Sequence, residues 1–179
     1  MTVLIRSLHF ALLVSWLALT LGVWWAATNS FDTFDAQKNP VASKLFEPAS
    51  TTKLKGRMAA REVNARIFEA WNRLQIVFCL LLFYFIWRAG RMSVASLVLA
   101  GCLLLIVGTH VFWFSPKIEA LGRILTSAEA SAGAPAVQSE FGRYHGAYVI
   151  SDVLKACLLA AAIWMSPWRR TARSEPSRG

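Results

Sequence analysis

Asp152 and Lys155 are the residues of this chain best equipped for chemistry, and they stand where charge is hard to keep. They lie in "FGRYHGAYVISDVLKACLLAAAIW", Phe141 to Trp164, whose second half is apolar enough to enter a bilayer. Three residues apart, the two side chains meet on one face of a helix. If that helix enters hydrocarbon near His145, Lys155 sits roughly 15 Å deep, close to the midplane. A lone charge there costs about 2.5–3.5 kcal/mol on insertion scales, and pairing or proton loss by Lys155 offsets much of it. The pair has two readings: a proton- or ion-handling site facing a polar interior, or a self-neutralised pair packed against other helices or another subunit.

The three histidines are His9, His110 and His145. His110 and His145 fall near matching ends of two apolar runs, so they can approach at similar depth, as a bis-histidine haem requires. His9 belongs to the opposite face. The plainer reading is interfacial histidines in hydrogen bonds. Gln75 and Thr109 suit hydrogen bonding between helices, while Gly101 and Gly108, with Ala95 and Ala100, offer small surfaces for close helix approach. Cys79, Cys102 and Cys157 are scattered, odd in number and without C-x-x-C spacing, which argues against a disulfide framework or a zinc site. They read as apolar packing residues. No G-x-S-x-G, H-E-x-x-H, phosphate loop or G-x-G-x-x-G occurs. The chain therefore reads as non-enzymatic, with no cofactor expected unless a haem or pigment sits at His110 and His145.

The elements that must position these residues are membrane helices. Of 179 residues, 56% are hydrophobic and only 16% charged, less charge than a soluble domain carries. Four apolar runs predict spans at about residues 8–27, 71–87, 93–114 and 146–166, each near the ~20 residues a bilayer needs. The fold class is all-α: an integral membrane four-helix bundle in one domain, residues 1–168, with helices 2 and 3 extended beyond the bilayer. Val63, Ile67, Trp71 and Leu74 recur at helical spacing and carry an amphipathic helix into span 2. Ile118, Leu121 and Leu125 do the same beyond span 3. Thr28 to about Ala60, punctuated by Asn39-Pro40 and Pro48, reads as a long connection, and "TSAEASAGAPAVQSE" as a flexible loop. "RAGRM" is a tight turn, and residues 169–179 form a basic disordered tail.

The first span is read as retained rather than as a cleaved signal. The formal charge of +9 suits lipid head groups and sets orientation, with no nucleic acid implied. By density of span-proximal charge both termini face the cytoplasm; by raw count of Lys and Arg they face away. We take them as cytoplasmic, in the inner membrane if the source is bacterial.

Several segments together resemble the transmembrane-protein-205-like family, whose bacterial members are grouped as domain of unknown function 4149. "RSLHFALLVSWLALTLGVWW" resembles its opening helix, "REVNARIFEAWNRLQ" its approach to span 2, and "FWFSPKIEALGRIL" its tryptophan-x-x-proline-basic motif. "EFGRYHGAYVISDVL" resembles its phenylalanine, arginine, histidine-glycine pattern. The resemblance covers all four spans in order. It implies the four-helix fold and marks His9, Phe68, Pro116, Phe141, Arg143, His145 and Gly146, but brings no activity, cofactor or substrate. The chain departs from the pattern at Asp152, where asparagine is usual, at Tyr148, where a small residue is usual, and at Glu69, where proline often follows the phenylalanine. The Asp152–Lys155 pair is thus particular to this chain.

Three functions are to be weighed. The first is a non-catalytic accessory or scaffolding subunit of a larger membrane assembly. Its partners would be membrane lipids and other membrane subunits or further copies of itself, met in part by Arg169, Arg170 and Arg173. The second is an ion, proton or small-molecule transporter using Asp152 and Lys155. The third is haem or porphyrin binding, since the first helix, with His9 and Trp16, also faintly resembles small membrane protoporphyrinogen oxidases.

Overall fold

The computed structural model describes residues 3–35, 37–45, 49–88, 93–128 and 134–165, the side chains of 49–54, 126–128 and 134 apart. The expected basic tail, with Arg169, Arg170 and Arg173, and most of the "RAGRM" turn lie outside the described residues. The described residues contain no strand and form six α-helices: α1 (Val3–Thr33), α2 (Pro40–Leu45), α3 (Ala49–Arg88), α4 (Val94–Thr109), α5 (Ser115–Ala128) and α6 (Ala134–Met165). A single π-helical turn, His110–Phe114, joins α4 to α5. By length and composition, four helical stretches are apolar enough to cross a membrane: Val3–Thr33, Lys55–Arg88, Val94–Leu125 and Pro135–Met165. The fold is the expected all-α four-helix bundle.

The helices run past their expected ends, and the two expected loops shrink accordingly. Beyond Ala27, α1 continues to Thr33, with its polar side chains turned back onto their own helix: Thr28 Oγ1 donates to Trp24 O (2.9 Å) and Thr33 Oγ1 to Asn29 O (2.8 Å). Asn39-Pro40, expected to break structure, instead starts α2. The Asn39 carboxamide accepts from Val41 N at 3.0 Å, and Pro40, with no N–H to leave unpaired, opens the helix. Residues 49–60, expected in a loop, form the beginning of α3. Likewise α6 starts at Ala134, with Pro135 in its first turn, and not near His145. In the last turn of α1, Asp32 lies 2.5 Å from Lys38 Nζ, beyond the helix end, and holds that ammonium above its usual range, by hydrogen bond first and charge second.

The extensions of spans 2 and 3 are continuous helices, as the periodicity indicates. Exposed Glu62–Arg66 and Glu69–Arg73 pairs on α3 and Glu119–Arg123 on α5 follow the favourable i, i+4 order, each contributing a few tenths of a kcal/mol. The extensions meet outside the main core. Leu121 and Gly122 of α5 are buried, and a Cβ on Gly122 would stand 2.8 Å from Arg61 Nε of α3. The π turn adds one residue to the helix, rotating α5 by roughly 100° relative to α4. That rotation lets α4 face the bundle while Leu121 faces α3 and α6.

In cross-section the bundle is a ring: α1 packs on α3 and α6, and α4 packs on the same two. One end of the bundle carries the C-terminal ends of α1 and α5 and the N-terminal ends of α3 and α6 (the loop end). The other carries the start of α1, the end of α3, the start of α4 and the end of α6 (the tail end). The main core is built from Leu12, Leu13 and Trp16 of α1, Phe78, Cys79, Leu82 and Ile86 of α3, Leu103 and Val107 of α4, and Leu159 and Ala162 of α6.

Candidate functional site

Asp152 and Lys155 point into the ring. They are 1% and 0% exposed, which corrects any reading of the pair as a contact with another subunit. One α-helical turn sets them on the inner face of α6, where the Lys155 ammonium bonds Asp152 Oδ1. The ammonium also donates to Gln75 Oε1 of α3 and lies over the Trp71 ring, 5.4 Å from its centroid. The second carboxylate oxygen accepts from the indole Nε1 of Trp24, on α1. Each charge therefore has partners beyond its own helix, the condition for holding an ion pair in a low-dielectric interior.

The fourth wall of the site is His110, fully buried where α4 gives way to the π turn. Its ring stacks on Tyr148 of α6 (centroids 4.1 Å apart, 23° between planes). Its Nε2 lies 2.7 Å from Ser151 Oγ, and its Nδ1 lies 3.7 Å from Asp152 Oδ1. Asp152, His110 and Ser151 thus follow the atom order of a hydrolase triad. The resemblance ends there, because helical N–H groups around Ser151 are committed to the helix and offer no oxyanion hole. Two grooves mark the surface, one along Gly101, Leu105, Gly108 and Phe112, the other between Trp113, Lys117 and Tyr144; neither is lined by Ser151 or Asp152.

From the pair a file of buried polar groups runs toward the loop end. Gln75 donates to Asn72 Oδ1 (3.4 Å), and Asn72 Nδ2 donates to Ser115 Oγ at the start of α5 (2.8 Å). Farther out, Asn64 Nδ2 donates to Ala27 O (3.3 Å), with Ser30 Oγ 2.9 Å from Asn64 Oδ1. On the other side of Lys155 the core is almost wholly apolar down to Leu12, Ile86 and Ala162.

The remaining expected residues are placed as follows. His145 is exposed and stacks on Phe141, 5.7 Å away, whereas His110 sits level with Ser151, six residues farther along α6. That offset is roughly 9 Å, so the two histidines do not share a depth and do not form a bis-histidine site. His9 packs beside Phe85 near the tail end, and Phe68 meets Tyr148 edge-on at 5.6 Å. Arg143 is exposed, Pro116 borders the Trp113–Tyr144 groove, and a Cβ on Gly146 would touch nothing within 4 Å. Gly101 and Gly108 also face open space, so they mediate no close approach inside this chain. Gln75 serves between helices as expected; Thr109 instead donates to Leu105 O of its own helix (2.8 Å). Cys79 is buried, while Cys102 and Cys157 lie on the outer face, all as free thiols. Among the described residues no group of three His, Cys, Asp or Glu side chains could hold a metal ion.

Sequence reasoning missed Trp24 and Asn72 as members of the site, and paired His110 with His145 where the structure sets it beside Ser151 and Asp152. Trp24 and Trp25 end the first apolar run and read as an interfacial pair, yet only Trp25, 71% exposed, faces outward. Comparison with protein-family models, curated proteins and solved structures gives no match to this chain. Fold and site together define a class: an all-α multi-pass bundle, membrane-spanning by length and composition, closed around a buried ion pair.

Proposed function

We propose that this protein is a non-catalytic accessory or scaffolding subunit of a larger membrane assembly, in line with its resemblance to the transmembrane-protein-205-like family. The observation that carries this reading is the commitment of both intramembrane charges to partners within the bundle. Asp152 and Lys155 are satisfied by Trp24, Gln75 and each other, which fixes the relative rotation of α1, α3 and α6. The outer surface is left as the working surface. It is strongly apolar and aromatic, with Phe112 80% and Trp113 62% exposed, suited to acyl chains and to the helices of other subunits. Purification in a gentle detergent tests the reading. A defined complex with other membrane subunits, or a homo-oligomer, is expected; a lone monomer with nothing co-purifying would count heavily against it.

A second reading, proton or ion transport through the Asp152–Lys155 pair, is favoured by the polar file from Lys155 to Ser115. Flux into liposomes containing the wild type and Asp152→Asn decides it. No flux in the wild type, or flux unchanged in the variant, removes transport from consideration.

A further inference from the structure

The bonding pattern around His110 leaves a specific deficit. Ser151 Oγ donates to Tyr148 O at 2.9 Å, the back-bond a serine commonly makes within a helix. A hydroxyl has one proton, so the 2.7 Å contact to His110 Nε2 is made by a ring N–H donating to Ser151. Nδ1 then carries a lone pair. It is buried without a hydrogen-bond partner and faces Asp152 Oδ1, another acceptor, across 3.7 Å. Two acceptors facing each other in a buried site repel unless a donor joins them.

Two more polar atoms of the same neighbourhood are buried without a hydrogen-bond partner: Tyr148 Oη, on the ring that stacks on His110, and Trp71 Nε1, on the ring beneath Lys155. These residues are 6% and 3% exposed, and His110 is 0%. The unmet needs are thus an acceptor on His110 and donors on Tyr148 and Trp71, beside a carboxylate able to accept again. A second proton on the imidazole would meet only the first need. It would also place two cations, His110 and Lys155, against the single carboxylate of Asp152, leaving net charge in the bundle interior. Water donates twice and accepts twice, adds no charge, and is what buried polar clusters of this kind hold.

We propose that the bundle contains an internal water site at His110 Nδ1 and Asp152 Oδ1, bordered by Tyr148 and Trp71, in which water donates to both facing acceptors. The site lies at the inner end of the polar file from Ser115. It stands independently of the scaffolding reading, because it follows from the bonding around His110 and Asp152 inside this chain.

Solid-state NMR of the full chain in lipid bilayers, labelled with nitrogen-15 at the histidine rings, tests it. The substitutions His9→Gln and His145→Gln leave His110 as the sole imidazole. The expected spectrum at neutral pH shows one protonated nitrogen, assigned to Nε2, one bare Nδ1, and magnetisation transfer from water to the ring. A proton on Nδ1 alone, protonation of both nitrogens, or a bare Nδ1 without transfer from water would each overturn the proposal. The unaltered chain guards against any change of fold in the doubly substituted protein, its His9 and His145 signals being identified by their loss in the chains carrying His9→Gln alone and His145→Gln alone.

Discussion

The same four helices hold together differently at their two ends. Toward the tail end, Leu13, Leu82, Leu103 and Leu159 interlock as an apolar core. Toward the loop end, Trp24, Asn72, Gln75, His110, Asp152 and Lys155 tie the helices with directed bonds. In a bilayer this difference has more weight than in water. Apolar side chains gain little by leaving lipid for another helix, so the tail half depends on packing density alone. The loop half depends on matched partners, and its failure modes are those of unmatched charge. One half should tolerate a change of chemistry at constant volume, and the other a change of volume with bonds intact.

The largest expected effect is on breaking the ion pair from one side. Lys155→Met leaves Asp152 buried with its charge uncompensated, and should cost about 3–5 kcal/mol in unfolding titrations in detergent micelles. Adding Asp152→Asn removes the stranded charge while keeping an acceptor for Trp24, so the double variant should recover most of that loss. Equal losses in the single and double variants would show that the two charges are not coupled, and the contrast between the halves would collapse.

Next in size is a cavity in the apolar half. Leu159, fully buried between α6 and its neighbours, should cost roughly 2 kcal/mol when changed to Ala. That is the low end of the 2–5 kcal/mol range for soluble cores, because the transfer component is weaker in lipid. Leu159→Met should be nearly neutral. A loss as large as that of Lys155→Met would mean that packing, and not charge matching, dominates both halves.

How far this division can be read in the sequence follows from what helical periodicity records. Spacing along one helix placed Asp152 beside Lys155 and put Gln75 inside a span, because those are properties of a single helix. It did not record how one helix is rotated against another, so the partners contributed by α1 and α4 stayed hidden. Trp24 has the signature of an interfacial residue, and nothing local distinguishes it from Trp25. His110 was visible as a histidine near a helix end, but the π turn that begins there has no composition signal, and pairing it with His145 assumed a span beginning twelve residues later than α6 does. The loops were misjudged for a related reason. Pro40 and Pro135 signal a helix start as readily as a break, and the neighbouring residues decide which.

Trp24 and Trp25 provide a smaller and sharper test. Trp24→Phe keeps an aromatic ring but removes the N–H that Asp152 accepts, and should cost about 1 kcal/mol, within the range measured for polar contacts between membrane helices. Trp25→Phe, on the exposed side of the same helix, should change unfolding by no more than a few tenths. Similar effects from the two would place Trp24 with the interfacial residues and remove α1 from the network.

The smallest effect is expected outside both halves, on the outer face of α4. A Cβ at Gly108 would meet nothing within 4 Å, and replacing glycine by alanine inside a helix removes backbone entropy from the unfolded state. Gly108→Ala should therefore leave the monomer within about 0.5 kcal/mol of the wild type or slightly more stable. The informative measurement is the same substitution in the protein purified in a gentle detergent. Because the added methyl points away from this chain's own helices, loss of an assembly while monomer stability holds would mean that another helix packs closely along Gly101 and Gly108. The outer face would then join the two interior halves as a third, separately organised region, one that works between chains.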